Sequence, residues 1–468
     1  MKKYCGLFML LLSQLLLQAQ AKKGTGLIQG SSNGHYLQYG NGVPFFWLGD
    51  TAWELFHRLT LQEIDHYLTN RSAKGFTVIQ AVVLAEYDGL RKPNQYGDLP
   101  FRDLDPTKPN EKYFAFIDTV IKMAAAKNLI IGLLPTWGDK VFVSWGIGPE
   151  IFDSTNAYAF GLWLGKRYAN TTNIAWIVGG DRPPVQDSLD FRPVWRNMAN
   201  GILKGTAGRA FIAYHISGGS GSTSRHLHNE PWLHMNMMQS GHGGGHDVPV
   251  WDDIHRDYGL QPAKPTLDAE PNYEDHPVNP WPKWDTASGY FRDYDVRKQC
   301  YRSVFGGAAG VTYGHHAVWQ FYSAREEKIN HPDRYWTAAI NRPGAVQVGY
   351  LKNLILSRPS LHRVPDSTLI VSGQGHGAGH IEAFRDSANR YAMIYLPRGK
   401  TIGVNTGFIK TPQLMVWWFN PRTGVANKGD LKKRLPVMTF TPPTVGAGKD
   451  WVLVIDAAGA PFGAPGKR

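Results

Sequence analysis

Two hydrophobic periods interleave along most of this chain. Continuous apolar runs at residues 44–48, 76–84, 129–134, 174–178, 211–216, 233–238, 265–269 and 309–313 have the length and composition of strands buried on both faces. Between most of them, apolar residues recur every three or four positions, as in Phe114, Ile117, Val120, Ile121 and Ala124. This spacing predicts helices over residues 60–75, 113–127, 156–170, 191–203 and 290–305, and a last one over 345–357. Thr60 and Glu63 add the reciprocal pairing of a capping box at the start of the first helix. Buried strands that mostly alternate with helices predict an α/β fold, a (β/α)8 TIM barrel rather than an open sheet.

The pattern differs at both ends. Before the barrel, residues 26–39 and 43–49 read as short strands, with tight-turn signals at Asn33-Gly34 and Asn41-Gly42. After Arg358-Pro359 the helical period disappears. Short apolar runs at 369–371, 381–384, 391–396, 414–419 and 451–455 predict a small all-β sandwich. The expected organisation is a signal peptide over 1–21, a barrel over 22–357 and a β domain over 358–468.

The signal reading rests on Lys2 and Lys3, an apolar core from Leu7 to Leu17, and the small-residue pattern Ala19-Gln-Ala21. It predicts an exported protein, periplasmic or at the cell surface. No later run is long and apolar enough to predict a membrane span. Once Cys5 leaves with the signal, Cys300 stands alone and is expected as a small buried apolar residue. The formal net charge of +12, lower by two without the signal, favours an acidic partner. The basic residues are scattered and form no nucleic-acid recognition motif, so an acidic plant polysaccharide fits better than nucleic acid. The 16 Trp and 21 Tyr residues offer flat apolar faces with a polar edge, which sugars also require, although core packing accounts for many such side chains.

In a barrel of this kind the active site lies at the C-terminal ends of the strands. Those ends collect Asp50, Glu86 with Asp88, Trp137 with Asp139, Asp181 with Arg182, His215, Gln239 with His242, Glu270 with Tyr273 and Glu274, and His315 with His316. No phosphate-binding glycine loop and no cofactor motif is present in this set. Asp181 ends the fourth strand and Glu270 the seventh, across the barrel, where two carboxylates can cleave a glycosidic bond. Asp50, Trp137, Arg182, His215, Gln239, Tyr273 and His316 are the candidate substrate contacts. Asp181 could instead cap its turn, Asp50 could be a structural cap, Trp137 could be rim packing, and Arg182 could hold the Asp181 carboxylate or a substrate acid.

The stretches Phe45-Phe-Trp-Leu-Gly-Asp-Thr-Ala-Trp53, Val178-Gly-Gly-Asp-Arg182 and Leu267-Asp-Ala-Glu-Pro271 resemble the barrel motifs of the apiosidase family of glycoside hydrolases, glycoside hydrolase family 140. The tail, with Val416-Trp-Trp-Phe-Asn-Pro421, resembles the β domain that follows this barrel and is often labelled collagen-binding. The resemblance implies a retaining glycosidase of pectin-degrading Bacteroidota, with Asp181 as acid/base, Glu270 as nucleophile and an apiose-linked side chain of rhamnogalacturonan II as substrate. The same barrel acting on another plant glycan is the nearest alternative, and a non-catalytic carbohydrate-binding protein is the alternative outside enzymes.

Two further chemistries have partial signals. Gly30-Ser-Ser-Asn-Gly34 has the spacing of a hydrolase nucleophile elbow, and His242-Gly-Gly-Gly245 that of an oxyanion loop, but the first falls in an expected hairpin turn and their order is reversed. His226, His228, His234, His242, His246 and His255 form a histidine-rich stretch, yet without a helical metal-binding motif, so no metal site is assigned.

Overall fold

The computed structural model describes residue 24, residues 26–278 and residues 284–467. The expected signal peptide lies outside the described residues. Eight parallel strands form the central sheet: β1 (Trp47–Thr51), β2 (Val78–Val82), β3 (Ile130–Leu134), β4 (Ile174–Val178), β5 (Ile212–Tyr214), β6 (Asn236–Met238), β7 (Thr266–Asp268) and β8 (Gly310–Tyr313). Sheet order runs from β5 back through β1 and on through β8 to β6, and a parallel bridge between Ala213 and Met235 joins the two ends. The sheet is therefore a closed barrel.

The strands read as unbroken apolar runs because they are buried on both faces. On β4, Ala175 and Ile177 point into the barrel beside Val78, Ile130, Met237 and Leu267. The alternating residues Ile174, Trp176 and Val178 pack outward against the helices. Those helices are α1 (Leu61–Ala73), α2 (Glu111–Ala126), α3 (Ser154–Arg167), α4 (Arg192–Gly205), α5 (Val250–Tyr258), α6 (Asp293–Phe305) and α7 (Pro343–Leu356). The Thr60–Glu63 capping box is present at α1. The unexpected α5 is short, with only Val250 and Ile254 as buried apolar anchors, too few to give a periodic signal. Before the barrel, the segments Ile28–Gly30, Leu37–Tyr39 and Pro44–Phe45 form a small antiparallel sheet, its turns made at Gly34 and Gly42 with φ of 78° and 81°.

The β domain contains β9 (Arg363–Pro365), β10 (Ile370–Ser372), β11 (Glu382–Asp386), β12 (Tyr391–Leu396), β13 (Ile402–Asn405), β14 (Gln413–Asn420), β15 (Val425–Ala426), β16 (Asp430–Lys433), β17 (Val437–Phe440) and β18 (Trp451–Ala457). The larger sheet has the order β9-β11-β12-β18-β14, with β15 and β16 both on β14; β10, β13 and β17 form the smaller one. One face of the larger sheet, including Ile394, Leu453 and Ile455, packs on the smaller sheet. Its other face, with Tyr395, Met393 and Val454, joins the barrel core at α6 beside Tyr301 and Phe305. Cys300 is buried in the same layer as a free thiol. Two buried ion pairs fasten the junction: Arg297 to Asp450 at 2.8 Å and Arg358 to Asp456 at 2.8 Å. Among the described residues no helix is long and apolar enough to cross a membrane.

Candidate active site

The end of β4 explains why its sequence is Gly-Gly-Asp. Gly179, Gly180 and Asp181 follow Val178 with φ of 100°, 60° and 59°, a left-handed path that glycine adopts freely and aspartate tolerates. Both glycines are also demanded by space. A Cβ on Gly179 would lie 2.5 Å from the His215 carbonyl oxygen, and one on Gly180 would lie 2.7 Å from the Gly138 nitrogen. The chain thus turns between the loops that follow β3 and β5 and delivers a partly accessible Asp181 carboxylate to the barrel mouth.

The end of β7 is held from both sides. Gln80 donates to the Ala269 carbonyl at 3.2 Å, and the Gly241 N–H donates to that of Glu270 at 2.9 Å. Below them Asp268 accepts hydrogen bonds from Ser240 at 2.7 Å and Ser303 at 3.0 Å. Glu270 then projects into the same cleft as Asp181. Around the closed sheet β4 and β7 stand three strands apart one way and five the other, so their ends face each other over the mouth.

The cleft has a volume of about 430 Å³. Its walls carry Trp53, Tyr87, Trp137, Trp145, Trp284 and Trp319, and its polar groups include Glu86, Asp181, Gln239, His242, Glu270 and Tyr273. Among the described residues no lysine or arginine lines it. Aromatic walls with few convergent polar groups are the composition of a sugar subsite.

The two carboxyls differ sharply in proton affinity. Burial, and next the Glu270 charge, push Asp181 up to about 7, against the pull of His215, Arg182 and the Trp145 N–H. Burial also acts to raise Glu270, but His215 and His242 outweigh it and hold Glu270 at about 2. The His242 Nε2 lies 3.2 Å from Oε1, and the His215 Nε2 lies 3.2 Å from Oε2. The His215 contact is close but not aligned as a hydrogen bond, so Oε2 is buried without a hydrogen-bond partner among the described residues. The arrangement pairs a carboxyl that keeps its proton near neutral pH with an ionised carboxylate that has an uncommitted oxygen.

Of the residues expected from sequence, Asp181, Glu270, Trp137, Gln239 and Tyr273 line the cleft. His215 lies beneath it, fully buried, against Glu270 and edge-on to Trp53 at 5.3 Å. It is therefore not a cleft-lining contact, and three more expected substrate contacts are also corrected. Asp50 is fully buried and accepts from Arg71 Nε at 2.6 Å and from the Tyr67 hydroxyl, so it neutralises a buried guanidinium. Arg182 is also buried; it donates to the backbone carbonyls of Asp181 at 2.7 Å, Phe142 at 3.0 Å and Trp145. It holds neither the Asp181 carboxylate nor a position on the cleft wall. His316 is turned to the Asn330 carbonyl at 2.7 Å and stands behind His276, 4.4 Å away between ring centroids.

Sequence reasoning did not select Trp53, Tyr87, Trp145, His276, Trp284, Trp319 or Asn330 as contacts. Most sit in irregular loops where no period marks the direction of a side chain; Trp53, just past β1, Tyr87, between the collected Glu86 and Asp88, and Trp319, near β8, had strand ends to locate them. Glu86 and His242 were among the collected strand ends, and both do reach the cleft. Burial, followed by the neighbouring Asp181 and Asp139 charges, raises Glu86 well above the usual carboxyl range.

The other chemistries have no assembled site. Ser31 donates to Asn33 at 2.6 Å within the hairpin turn before the barrel. The histidines of residues 226–255 disperse: His228 pairs with the Pro262 carbonyl at 3.0 Å, His246 with Asp295 at 2.9 Å, and His255 with Glu382 at 3.0 Å.

Comparison with curated proteins gives no match. Among solved structures, a protein titled "Glycoside hydrolase" is 30% identical over 93% of this chain and 99% of its own, with a TM-score of 0.83. A structure described as a glycoside hydrolase family 5 from Bacteroides vulgatus ATCC 8482 is 28% identical over 94% of this chain and 95% of its own, with a TM-score of 0.85. Residues 364–456 match the family described as "Putative collagen-binding domain of a collagenase". Residues 31–362 match the family described as "Apiosidase-like, catalytic domain". With that match spanning most of the chain, including both opposed carboxyls, the protein belongs to the apiosidase-like family and is a glycoside hydrolase.

Proposed function

We propose that this glycoside hydrolase releases apiosyl residues from side chains of the pectin rhamnogalacturonan II, with net retention of configuration. Asp181 acts as acid/base and Glu270 as nucleophile. In the first step Asp181 gives its proton to the glycosidic oxygen while a Glu270 oxygen attacks the anomeric carbon and the bond to the leaving group breaks. In the second, Asp181 takes a proton from water, the water oxygen attacks the same carbon, and the Glu270–sugar ester bond breaks.

One observation carries this reading. Two carboxyls in a single cleft are driven in opposite directions, Asp181 up to about 7 and Glu270 down to about 2. That division of proton affinity supports Asp181 as donor and Glu270 as nucleophile. The aromatic walls of the cleft support a sugar at the point of cleavage. The positive net charge, which persists without the amino-terminal segment, favours the approach of an acidic polymer. The amino-terminal pattern supports export, to the periplasm or the cell surface, where such a polymer is met.

The test is release of sugar from purified rhamnogalacturonan II oligosaccharides, followed by proton NMR from the first minutes. Apiose appearing first in the anomeric configuration of the substrate supports the reading. The opposite anomer refutes retention, and turnover of a different glycan with none of this one refutes the substrate.

A further inference from the structure

Between β3 and α3 the chain makes a long excursion whose tip reaches the cleft. At its base Asp139 and Lys140 are fully buried and paired at 2.8 Å. Asp139 Oδ2 also accepts the backbone N–H groups of Ile147 at 3.1 Å and Gly148 at 2.9 Å, which closes the excursion into a loop. Higher up, the Arg182 guanidinium lies 4.0 Å from the centre of the Trp145 ring and donates to the Trp145 and Phe142 carbonyls. Trp145 is therefore gripped through both its ring and its backbone. Its Nε1–H donates to Asp181 Oδ2 at 2.9 Å, at the wall of the cleft.

We infer that Trp145 is the positioning residue of the proton donor, fixing the rotation of the Asp181 carboxyl and reserving Oδ1 as the oxygen that carries the transferable proton. The inference rests on the reading of Asp181 as acid/base. Its chemical basis is that an indole N–H donates and cannot accept. A carboxyl oxygen that receives such a donor is the unprotonated one, so the proton resides on its partner oxygen. A hydroxyl or an imidazole in the same place could exchange roles with the carboxyl and would leave both oxygens open to the proton. Arg182, next to Asp181 in sequence, completes the device, since one guanidinium holds both the Asp181 backbone and the Trp145 ring. Trp145 also stabilises the ionised form that Asp181 reaches after each proton transfer.

The experiment uses the full chain labelled with 13C at the aspartate carboxyls, the Asp181 resonance being assigned by its absence in Asp181→Asn. Trp145→Phe keeps an aromatic ring for Arg182 but removes the N–H. Its Asp181 titration is expected to move upward by about one pH unit, because a donor that favoured the carboxylate is gone. On rhamnogalacturonan II oligosaccharides the alkaline limb of kcat/KM should move up by the same amount, whereas a merely structural tryptophan would lower activity at all pH values alike. An unmoved or lowered Asp181 midpoint overturns the proposal. A second measurement needs no variant: in wild-type protein the Trp145 indole 1H–15N signal should shift with pH through the Asp181 midpoint. A flat response overturns the proposal even if Trp145→Phe fails to fold. The NMR midpoints do not depend on turnover, so lack of cleavage with the expected NMR response counts against the substrate alone.

Discussion

Removal of the two histidines from Glu270, the proposed nucleophile, should convert a carboxylate ionised throughout the working pH range into one that titrates within it. His242 and His215 each approach one Glu270 oxygen at 3.2 Å, and burial opposes them both. A hydrogen bond to a charged group is worth about 1.5–3 kcal/mol, which corresponds to roughly one to two pH units. Starting from about 2, His242→Ala should bring Glu270 to roughly 3–4, still ionised at neutral pH. The double variant His242→Ala/His215→Gln leaves burial weakly opposed and should carry Glu270 above its ordinary value of 4.5. Since the nucleophile must be ionised, activity is lost as pH falls through that midpoint. The assay is initial-rate sugar release across acidic to neutral pH, with circular dichroism to confirm folding at each point. The acid limb of kcat/KM should rise stepwise from wild type through the single to the double variant. A double variant whose acid limb coincides with that of wild type would show that the histidines do not set the charge of Glu270.

Three further outcomes follow from the same structure. Asp181 sits above its ordinary 3.8, at about 7, so the folded state holds a proton that the unfolded chain has already released, and stability falls as pH rises between those values. Asp181→Asn should therefore abolish activity yet raise Tm above neutral pH, by at most about 4 kcal/mol of stability, with the gain vanishing in acid below the ordinary value; thermal melts across pH check this. Arg71→Met strands Asp50 without its cation and should destabilise the barrel by about 3–5 kcal/mol in urea unfolding, while KM of the folded fraction stays unchanged, because Asp50 is buried away from the cleft wall. Arg358→Ala should cost a similar about 3–5 kcal/mol by isolating Asp456 at the junction, and limited proteolysis should then cut the β domain before the barrel; equal resistance of both would contradict a bracing role for that contact.

The barrel was legible because its strands are buried on both faces, and residues such as Ile174 to Val178 record this as unbroken apolar runs. The opposed acids were legible for a related reason: Asp181 follows such a run through a glycine pair, and Glu270 follows the run at 265–269 directly, so each carboxyl stands at a strand end. What remained hidden is the partner of each polar group. Asp50 looked like a rim acid, yet α1 carried the countersignal, since Arg71 follows Ile64, Tyr67 and Leu68 on the buried stripe and a buried arginine requires a buried acid. Arg182 was misread for a related reason, as its position beside Asp181 does not show that its guanidinium turns away to backbone carbonyls. Trp145 could not be found at all, because it lies on an irregular loop whose path is set by Asp139 and Arg182 rather than by any periodic pattern.

The central claim is that Asp181 donates the proton and Glu270 attacks. Azide rescue with 4-nitrophenyl β-D-apiofuranoside tests it most directly, because each role leaves a different product. In Asp181→Ala, azide should attack the sugar held on Glu270 and restore turnover as an apiosyl azide of retained configuration. In Glu270→Gly, azide should enter from the vacated side and give the inverted azide. Interchanged configurations would reverse the two roles, and undiminished hydrolysis by Glu270→Gly without azide would contradict the account.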